Sequence, residues 1–290
     1  MEKNLTSLID KIIEKLGHIE VLGSDNLQIT DVTADSRMVI PGSLFICLKG
    51  ATVDGHKFLK SAVEKGAVAA LVEDVPKDFL VGATLLKVED TRKAMEVVTP
   101  FFYDYPGKKM RMIGLTGTNG KTTTTNIIRT ILRKAGHKVG LIGTINIMIE
   151  DQVTVSHNTT PDVVDLQKNL FAMEQAGCDY VVMEVSSHAL ALKRVAGCEY
   201  DCAVLTNITQ DHLDFHKTME NYRDAKSLLF ENLSDGNKPN KNAVFNMDDP
   251  SSEIIKSRTQ VPCLTYGKAD TNDIYPLSFS VRAKGMELKL

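Results

Sequence analysis

The 290-residue chain lacks any apolar run near the ~18 residues needed to cross a bilayer, so a transmembrane helix is not expected. Its amphipathic N-terminus, MEKNLTSLIDKIIEKLG, has no signal-peptide core. It also lacks a C-x-x-C pair. Five cysteines, Cys47, Cys178, Cys198, Cys202 and Cys263, are scattered and odd in number, which argues for free thiols in a reducing cytoplasm and against a zinc site. Charge of one sign is not in excess: the net charge is −3, which gives no case for nucleic acid or an anionic membrane surface. Internal repeats and low-complexity tracts are absent as well. What is there, 43% hydrophobic and 24% charged residues, is ordinary globular composition, long enough for two domains with cores of their own.

Two patterns follow one another along the chain. In the first, Leu5, Leu8, Ile9, Ile12, Ile13 and Leu16 share one helical face, and Gly17 stands as a C-cap. Strands are expected at 44–48, 67–72 and 83–88, and helices at 58–65 and 91–103, with Pro100 breaking or kinking the last one. The turn-rich Tyr105, Pro106 and Gly107 close a small α/β domain, 1–107. In the second, strands at 112–115, 139–142, 180–185, 202–205 and 243–246 alternate with helices. One helix carries Ile127, Ile128, Ile131, Leu132 and Ala135 on one face; the others span 163–176 and 219–230. That alternation predicts an α/β domain, 108–290, built on a doubly wound parallel sheet.

The chemistry sits in the second pattern. Residues 114–123 read GLTGTNGKTT between a strand and a helix, the setting of a phosphate-binding loop. Gly117 and Gly120 let the backbone curl around an anion, and the helix N-terminus then faces it. Lys121 would neutralise β/γ-phosphate oxygens and Thr122 would offer a hydroxyl to Mg²⁺. Leu115 stands where the first glycine of the longer consensus loop would be. Glu184 ends an apolar strand; a carboxylate at that edge can hold Mg²⁺, although a single strand-end glutamate is more commonly just solvated. Lys226 falls within the apolar arc of Met219, Tyr222, Ala225, Leu229 and Phe230, opposite Glu220, Arg223, Asp224, Ser227 and Glu231. An inward lysine must be paired, neutralised or modified, or must snorkel to the rim.

These residues and others, taken in order, resemble the Mur ligases, the enzymes that build the peptide of the cell-wall precursor. TGTNGKT at 116–122 is similar to their ATP loop, EVSSH at 184–188 to their second motif, and Thr206, Asn207, DHLD at 211–214, His216, Ala225 and Lys226 to their third. NMDD at 246–249 resembles a weaker fourth. ADSR at 34–37, Pro41, Gly42, Phe45 and DGH at 54–56, with HNTTP at 157–161, resemble the MurE subgroup. The likeness spans almost the whole chain.

The resemblance implies an N-terminal UDP-precursor-binding domain and a central P-loop domain that is incomplete at its C-terminal end, with a third domain absent. It implies an ATP-dependent ligase adding meso-diaminopimelate or L-lysine to UDP-N-acetylmuramoyl-L-Ala-D-Glu in peptidoglycan biosynthesis, in the cytoplasm and as a monomer. The route is an acyl phosphate: the D-Glu carboxylate attacks the γ-phosphate, and the incoming amine then displaces phosphate. Gly117, Thr118, Asn119, Gly120, Lys121, Thr122 and Thr123 would hold ATP. Thr122, Glu184, His212 and a carbamylated Lys226 would hold Mg²⁺, with Lys121, His212 and Lys226 catalytic. Ser36, Arg37, Asp54, Gly55 and His56 would take the UDP part, the last three largely through backbone shape. Thr159, Thr160, Ser187 and Arg194 would take the muramoyl-peptide, Arg194 through the bidentate fork that suits a carboxylate. Leu192 departs from the glutamine several members carry. These 290 residues alone are expected not to turn over, since a closing domain normally completes such a site. Two other readings stand beside this one: a non-catalytic module that binds UDP-precursor or ATP, and a folylpolyglutamate-synthase-like ligase, against which the N-terminal domain argues.

Overall fold

The structure, a computed structural model, describes residues 1–50, 53–76, 82–282 and 285–289. It divides into two compact units, Met1–Pro106 with Asp162–Phe171, and Gly107–Pro161 with Ala172–Leu290. No helix among the described residues is long and apolar enough to cross a membrane.

The first unit is built on a five-stranded sheet in the order Glu20–Leu22, Thr84–Lys87, Ala67–Val72, Ser43–Ile46, Asp31–Thr33. The first pair is antiparallel and the rest are parallel. Ala67–Val72 and Ser43–Ile46 are almost wholly buried, as apolar runs inside a parallel sheet should be. The helix Leu5–Leu16 starts at Asn4, whose side chain accepts from Thr6 N, and ends at Gly17 with φ 86°. Its buried face is narrower than its apolar arc. Leu5, Leu8, Ile9 and Ile12 are buried, whereas Ile13 and Leu16 stand exposed. The helix Thr91–Phe102 runs through Pro100 instead of stopping there. In the last turn the missing N–H costs at most one backbone bond, and the buried ring still packs.

The second unit holds an eight-stranded sheet. Its parallel part runs Val139–Ile142, Tyr180–Glu184, Arg111–Thr116, Cys202–Leu205, Asn242–Asn246, Cys263–Tyr266. An antiparallel hairpin, Asn146–Ile149 and Gln152–Val155, extends one edge and is not foreseen from the sequence. A separate hairpin, Ser278–Arg282 with Gly285–Lys289, ends the described chain.

Arg111–Thr116 sits between Tyr180–Glu184 on one side and Cys202–Leu205 on the other. Strand order reverses there, so the carboxyl ends of these three strands flank a crevice, where open α/β sheets bind ligands. Leu115, Val139, Val182 and Val204 form the core beneath it, with Ile128 and Leu132 of the helix Lys121–Lys134 packed against them. Ile127 and Ile131 of that helix remain exposed. Across the sheet, Phe230 of the helix Met219–Asp235 stacks on Phe245 at 4.7 Å. This helix extends past the expected end at 230. Ser227, expected on its polar face, is fully buried: it donates to Glu231 and accepts from Arg258.

Candidate active site

The register decides which residues meet. Glu184 pairs with Leu115, and Leu205 with Thr116, so the loop after Thr116 emerges beside both neighbouring strand ends. Gly117 has φ 146°, and a Cβ there would meet Thr206 Oγ1 at 1.9 Å. Only glycine fits such an approach in that conformation. Gly120 is left-handed at φ 84° and precedes the helix Lys121–Lys134. The loop is tied down on one side by the 206–209 segment. Thr118 N donates to Asn207 O at 2.7 Å, Asn119 N to Asn207 Oδ1 at 3.0 Å, and Thr206 Oγ1 to Asn119 O at 2.8 Å. Asn246 and Asp249 of the weak fourth motif brace that segment in turn: Asn246 Nδ2 donates to Thr206 O, and Ile208 N to Asp249 Oδ2. Neither role is visible in one sequence, because each is a contact some 40 residues distant.

A cavity of about 350 Å³ opens over the loop. Thr118, Asn119, Gly120, Lys121, Thr122, Thr123, Thr144, Thr159, Glu184, Ser187, His212, Tyr222 and Lys226 all contribute to its wall. The helix N-terminus at Lys121 faces it with first-turn N–H groups that have no partner inside the helix. Lys121 Nζ bonds Gly117 O at 2.9 Å and Thr118 O at 2.8 Å, and Lys226 Nζ bonds Gly117 O at 2.8 Å. Two ammonium groups thus share one carbonyl. Burial pulls Lys121 below its usual pKa, against the opposing charges of Glu184 and Asp211. Lys226 is 2% exposed, and burial, then the neighbouring Lys121, bring it down to about 7.

On the facing side Glu184 is buried and accepts from Thr122 Oγ1, Thr144 N and Thr144 Oγ1, each at 3.0 Å. Its approach requires Gly143, where a Cβ would meet Oε1 at 2.5 Å. Thr144, whose hydroxyl oxygen also accepts from Thr159 Oγ1 at 3.1 Å, is a residue the sequence reading missed; nothing in its local pattern marks it. At the wall that His212 and Tyr222 form, these two pack with His188, His216 and Phe215 in a ring cluster with centroids 4.3–6.2 Å apart. His216 Nε2 meets Ser187 Oγ at 2.9 Å, and burial holds His188 and His216 below the ordinary imidazole pKa.

Residues 115–290 match the Mur ligase middle domain, and residues 28–103 match the Mur ligase family catalytic domain. The chain belongs to the Mur ligase family. It is 46% identical over 285 residues to a UDP-N-acetylmuramoyl-L-alanyl-D-glutamate–2,6-diaminopimelate ligase of Geobacillus thermodenitrificans, covering 97% of this chain and 58% of that one. It is 47% identical over 283 residues to the ligase of the same name from Bacillus cereus, covering 96% and 57%. A solved structure of such a ligase superposes with a TM-score of 0.79 at 26% identity, over 99% of this chain and 57% of that one. The chain therefore spans a little over half the length of these relatives.

Within this Mur ligase chain the other expected site residues are placed unevenly. Arg194 is half-buried, and its Nε is buried without a hydrogen-bond partner among the described residues. Thr160 is buried, donates to Glu184 O at 2.9 Å and accepts from Ser186 N at 3.0 Å, so its hydroxyl braces the strand end and does not line the cavity. In the first unit Arg37 is exposed and forks onto Asp35, which holds that carboxyl below the usual range. Ser36 O accepts from Lys65 Nζ. Asp54 caps the turn Gly55–Phe58 through His56 N and also meets His56 Nδ1 at 2.7 Å. His56 Nε2 accepts from Glu73 N, which leaves Nδ1 as the protonated nitrogen. Gly55 lies against Leu48, where a Cβ would find backbone atoms at 2.8 Å.

A larger cavity, about 510 Å³, lies at the amino ends of the parallel strands, lined by Lys109, Arg111, His137, Asp179, Asp201 and Lys238 among others. Size is a poor guide here. Lys109 is paired with Glu174 and Lys238 with Asp201, so its lysines already have carboxylate partners. The smaller cavity has the helix N-terminus and two lysines whose bonds are only to carbonyls.

Proposed function

We propose that the chain carries the nucleotide and precursor sites of an ATP-dependent amide ligase that adds a diamino acid, meso-diaminopimelate or L-lysine, to UDP-N-acetylmuramoyl-L-Ala-D-Glu. One observation carries the reading: residues from four separate segments, 118–123, 184–187, 212 and 226, converge on one cavity above a helix N-terminus. Phosphate oxygens fit that cavity, because its cations are held only by carbonyls that an anion can outcompete.

The donor set fits Mg²⁺ as well. Thr122 Oγ1 and the Glu184 carboxylate are hard oxygen ligands 3.0 Å apart. Among the described residues no group of three or more His, Cys, Asp and Glu side chains could hold a metal without help. Phosphate oxygens and waters would complete the shell, the usual manner of Mg²⁺ in nucleotide sites. When bound, the ion offsets charge on the transferring phosphoryl group. Lys226, near its own pKa at neutral pH, has a substantial fraction of neutral amine, the form that combines with CO₂. As a carbamate it would replace the second clustered cation with an oxygen ligand, beside His212 in the same wall.

In the reaction the D-Glu carboxylate oxygen attacks the γ-phosphorus and ADP leaves. The amine nitrogen of the incoming diamino acid then attacks the acyl carbon, loses a proton, and phosphate leaves. Lys121 would follow the charge on the transferring oxygens. Arg194, with its uncommitted Nε, would hold a carboxylate of the peptide. Ser36, Arg37, Asp54, Gly55 and His56 of the first unit would receive the UDP part, and Thr159 and Ser187 the muramoyl-peptide. A cytoplasmic setting agrees with five free cysteines. Burial pushes the thiols of Cys47 and Cys198 up to about 12.

Calorimetric titration with UDP-N-acetylmuramoyl-L-Ala-D-Glu, UDP-N-acetylmuramoyl-L-Ala and UDP tests the reading. The D-Glu compound is expected to bind tightest, with that advantage lost in Arg194→Ala. A folded chain that binds none of the three would overturn it.

A further inference from the structure

Tyr222 enters the sequence reading only as one apolar position of its helix. In the structure it is 1% exposed to solvent, yet it forms part of the phosphate-cavity wall. Its ring lies 4.6 Å below Lys226 Nζ, and its hydroxyl lies 3.1 Å from Thr118 Oγ1. Counting hydrogens assigns that second contact. Thr118 Oγ1 carries one hydrogen and accepts from Thr209 N at 2.9 Å. Its own hydrogen has an acceptor in Thr209 O at 3.1 Å. With both made, Tyr222 is the donor to the remaining lone pair. Burial raises the phenol's pKa, so it keeps the proton it donates.

We propose that Tyr222 is a positioning residue for phosphate binding: its hydroxyl donates to Thr118 and fixes the 117–120 turn in the shape that receives the nucleotide's phosphates. Thr118 N is committed to Asn207 O, so this residue anchors the loop and does not itself bind phosphate. The anchor has two attachments, the 206–209 segment and Tyr222, and only the second reaches the loop from the helix that also carries Lys226. One side chain thereby ties the turn to the lysine beside it.

The inference rests on the ATP reading, and a double-variant cycle on the 290-residue chain separates the two. ATP and tripolyphosphate would each be titrated with Mg²⁺ into the parent, Tyr222→Phe, Thr118→Val, Thr118→Ser and the Tyr222→Phe/Thr118→Val pair, with melting temperatures alongside. Tyr222→Phe should weaken both ligands about threefold to tenfold, the worth of one hydrogen bond, and Thr118→Val, which also loses both Thr209 contacts, by at least as much. The pair should be no weaker than the weaker single variant, and Thr118→Ser, which keeps the hydroxyl, should bind as the parent does. A purely structural tyrosine would lower the melting temperature without that ligand coupling. If the parent binds and Tyr222→Phe binds equally well, or if the two losses multiply, the positioning role is wrong while the ATP reading stands. If the parent binds neither ligand, the ATP reading itself fails and takes this inference with it.

Discussion

The two units treat their expected site residues in opposite ways. Around the phosphate loop the polar groups are gathered and left with weak partners: among the described residues Lys121 and Lys226 hydrogen-bond only carbonyl oxygens, and Arg194 Nε has no hydrogen-bond partner. In the first unit the equivalent groups are already satisfied. Arg37 is paired with Asp35, Asp54 with His56, and His56 with Glu73 N. The first arrangement stores unfavourable charge that an anion relieves. The second prescribes backbone shape and leaves one exposed, exchangeable ion pair. Binding at the loop should therefore depend steeply on single charges, and binding in the first unit should depend on geometry.

Lys121→Ala breaks the comparison most forcefully. Removing the cation at the helix N-terminus should weaken ATP at least about 100-fold, as expected for a buried charge-assisted contact to phosphate. Calorimetry in Mg²⁺ checks it. UDP binding, which the proposed function assigns to the other unit, should be unchanged; a parallel loss of both ligands would mean that the two sites are not separate.

Gly117→Ala comes next. A methyl group at φ 146°, with Thr206 Oγ1 1.9 Å from the ideal Cβ position, should cost about 2 to 3 kcal/mol in stability as well as nucleotide affinity. Urea unfolding measures the first. Gly55→Ala offers the matched test in the first unit. It too must push backbone aside, at Leu48, but its strain should appear in UDP affinity and leave ATP untouched.

These residues also mark how far sequence alone reaches. The strand-loop-helix pattern placed Gly117, Gly120, Lys121 and Thr122, because phosphate binding imposes a local spacing. The 3.6-residue period placed Lys226 inward, because a buried cation on an apolar arc is a conspicuous exception. Tyr222 gave no such signal, since an aromatic on that arc is ordinary core and only the distant Thr118 makes it polar in use. Thr144 was illegible for the same reason, and Asn246 and Asp249, which the NMDD resemblance picked out, had no role the sequence could assign. Where amphipathic patterning overreached, at Ile13, Leu16, Ile127 and Ile131, an arc of apolar residues proved wider than the surface available to cover it. The hairpin 146–155 was missed because its second strand, Gln152–Val155, is wholly exposed and has no buried face to impose a period.

The pH dependence of stability sharpens the contrast in a third way. Lys226 is held at about 7 in the folded chain against an ordinary value of 10.5. Between those two values the unfolded chain binds the extra proton, so folding stability should rise with pH by roughly 1 kcal/mol per unit and flatten above the unfolded value. Below the folded value both states are charged and the burial penalty is present in full. Lys226→Met should remove the slope, and below neutral pH it should be more stable than the parent although unable to form a carbamate. Denaturant titrations from pH 6 to 10 in carbonate-free buffer would show it. A parent slope that survives in Lys226→Met would assign the effect to another group.

Arg37→Ala is the smallest perturbation and the most pointed. The side chain is 85% exposed and, among the described residues, paired only with Asp35, in high dielectric, so the melting temperature should not move measurably. If Arg37 exchanges Asp35 for an anionic or carbonyl group of the UDP portion, UDP should weaken about fivefold to tenfold and its affinity should become less sensitive to salt. Asp35→Asn should do the reverse, since it frees the guanidinium that the carboxylate now holds. An Asp35→Asn variant that loses UDP affinity alongside Arg37→Ala would show that the pair acts as a fixed unit, and the first unit would then recognise its ligand by shape alone.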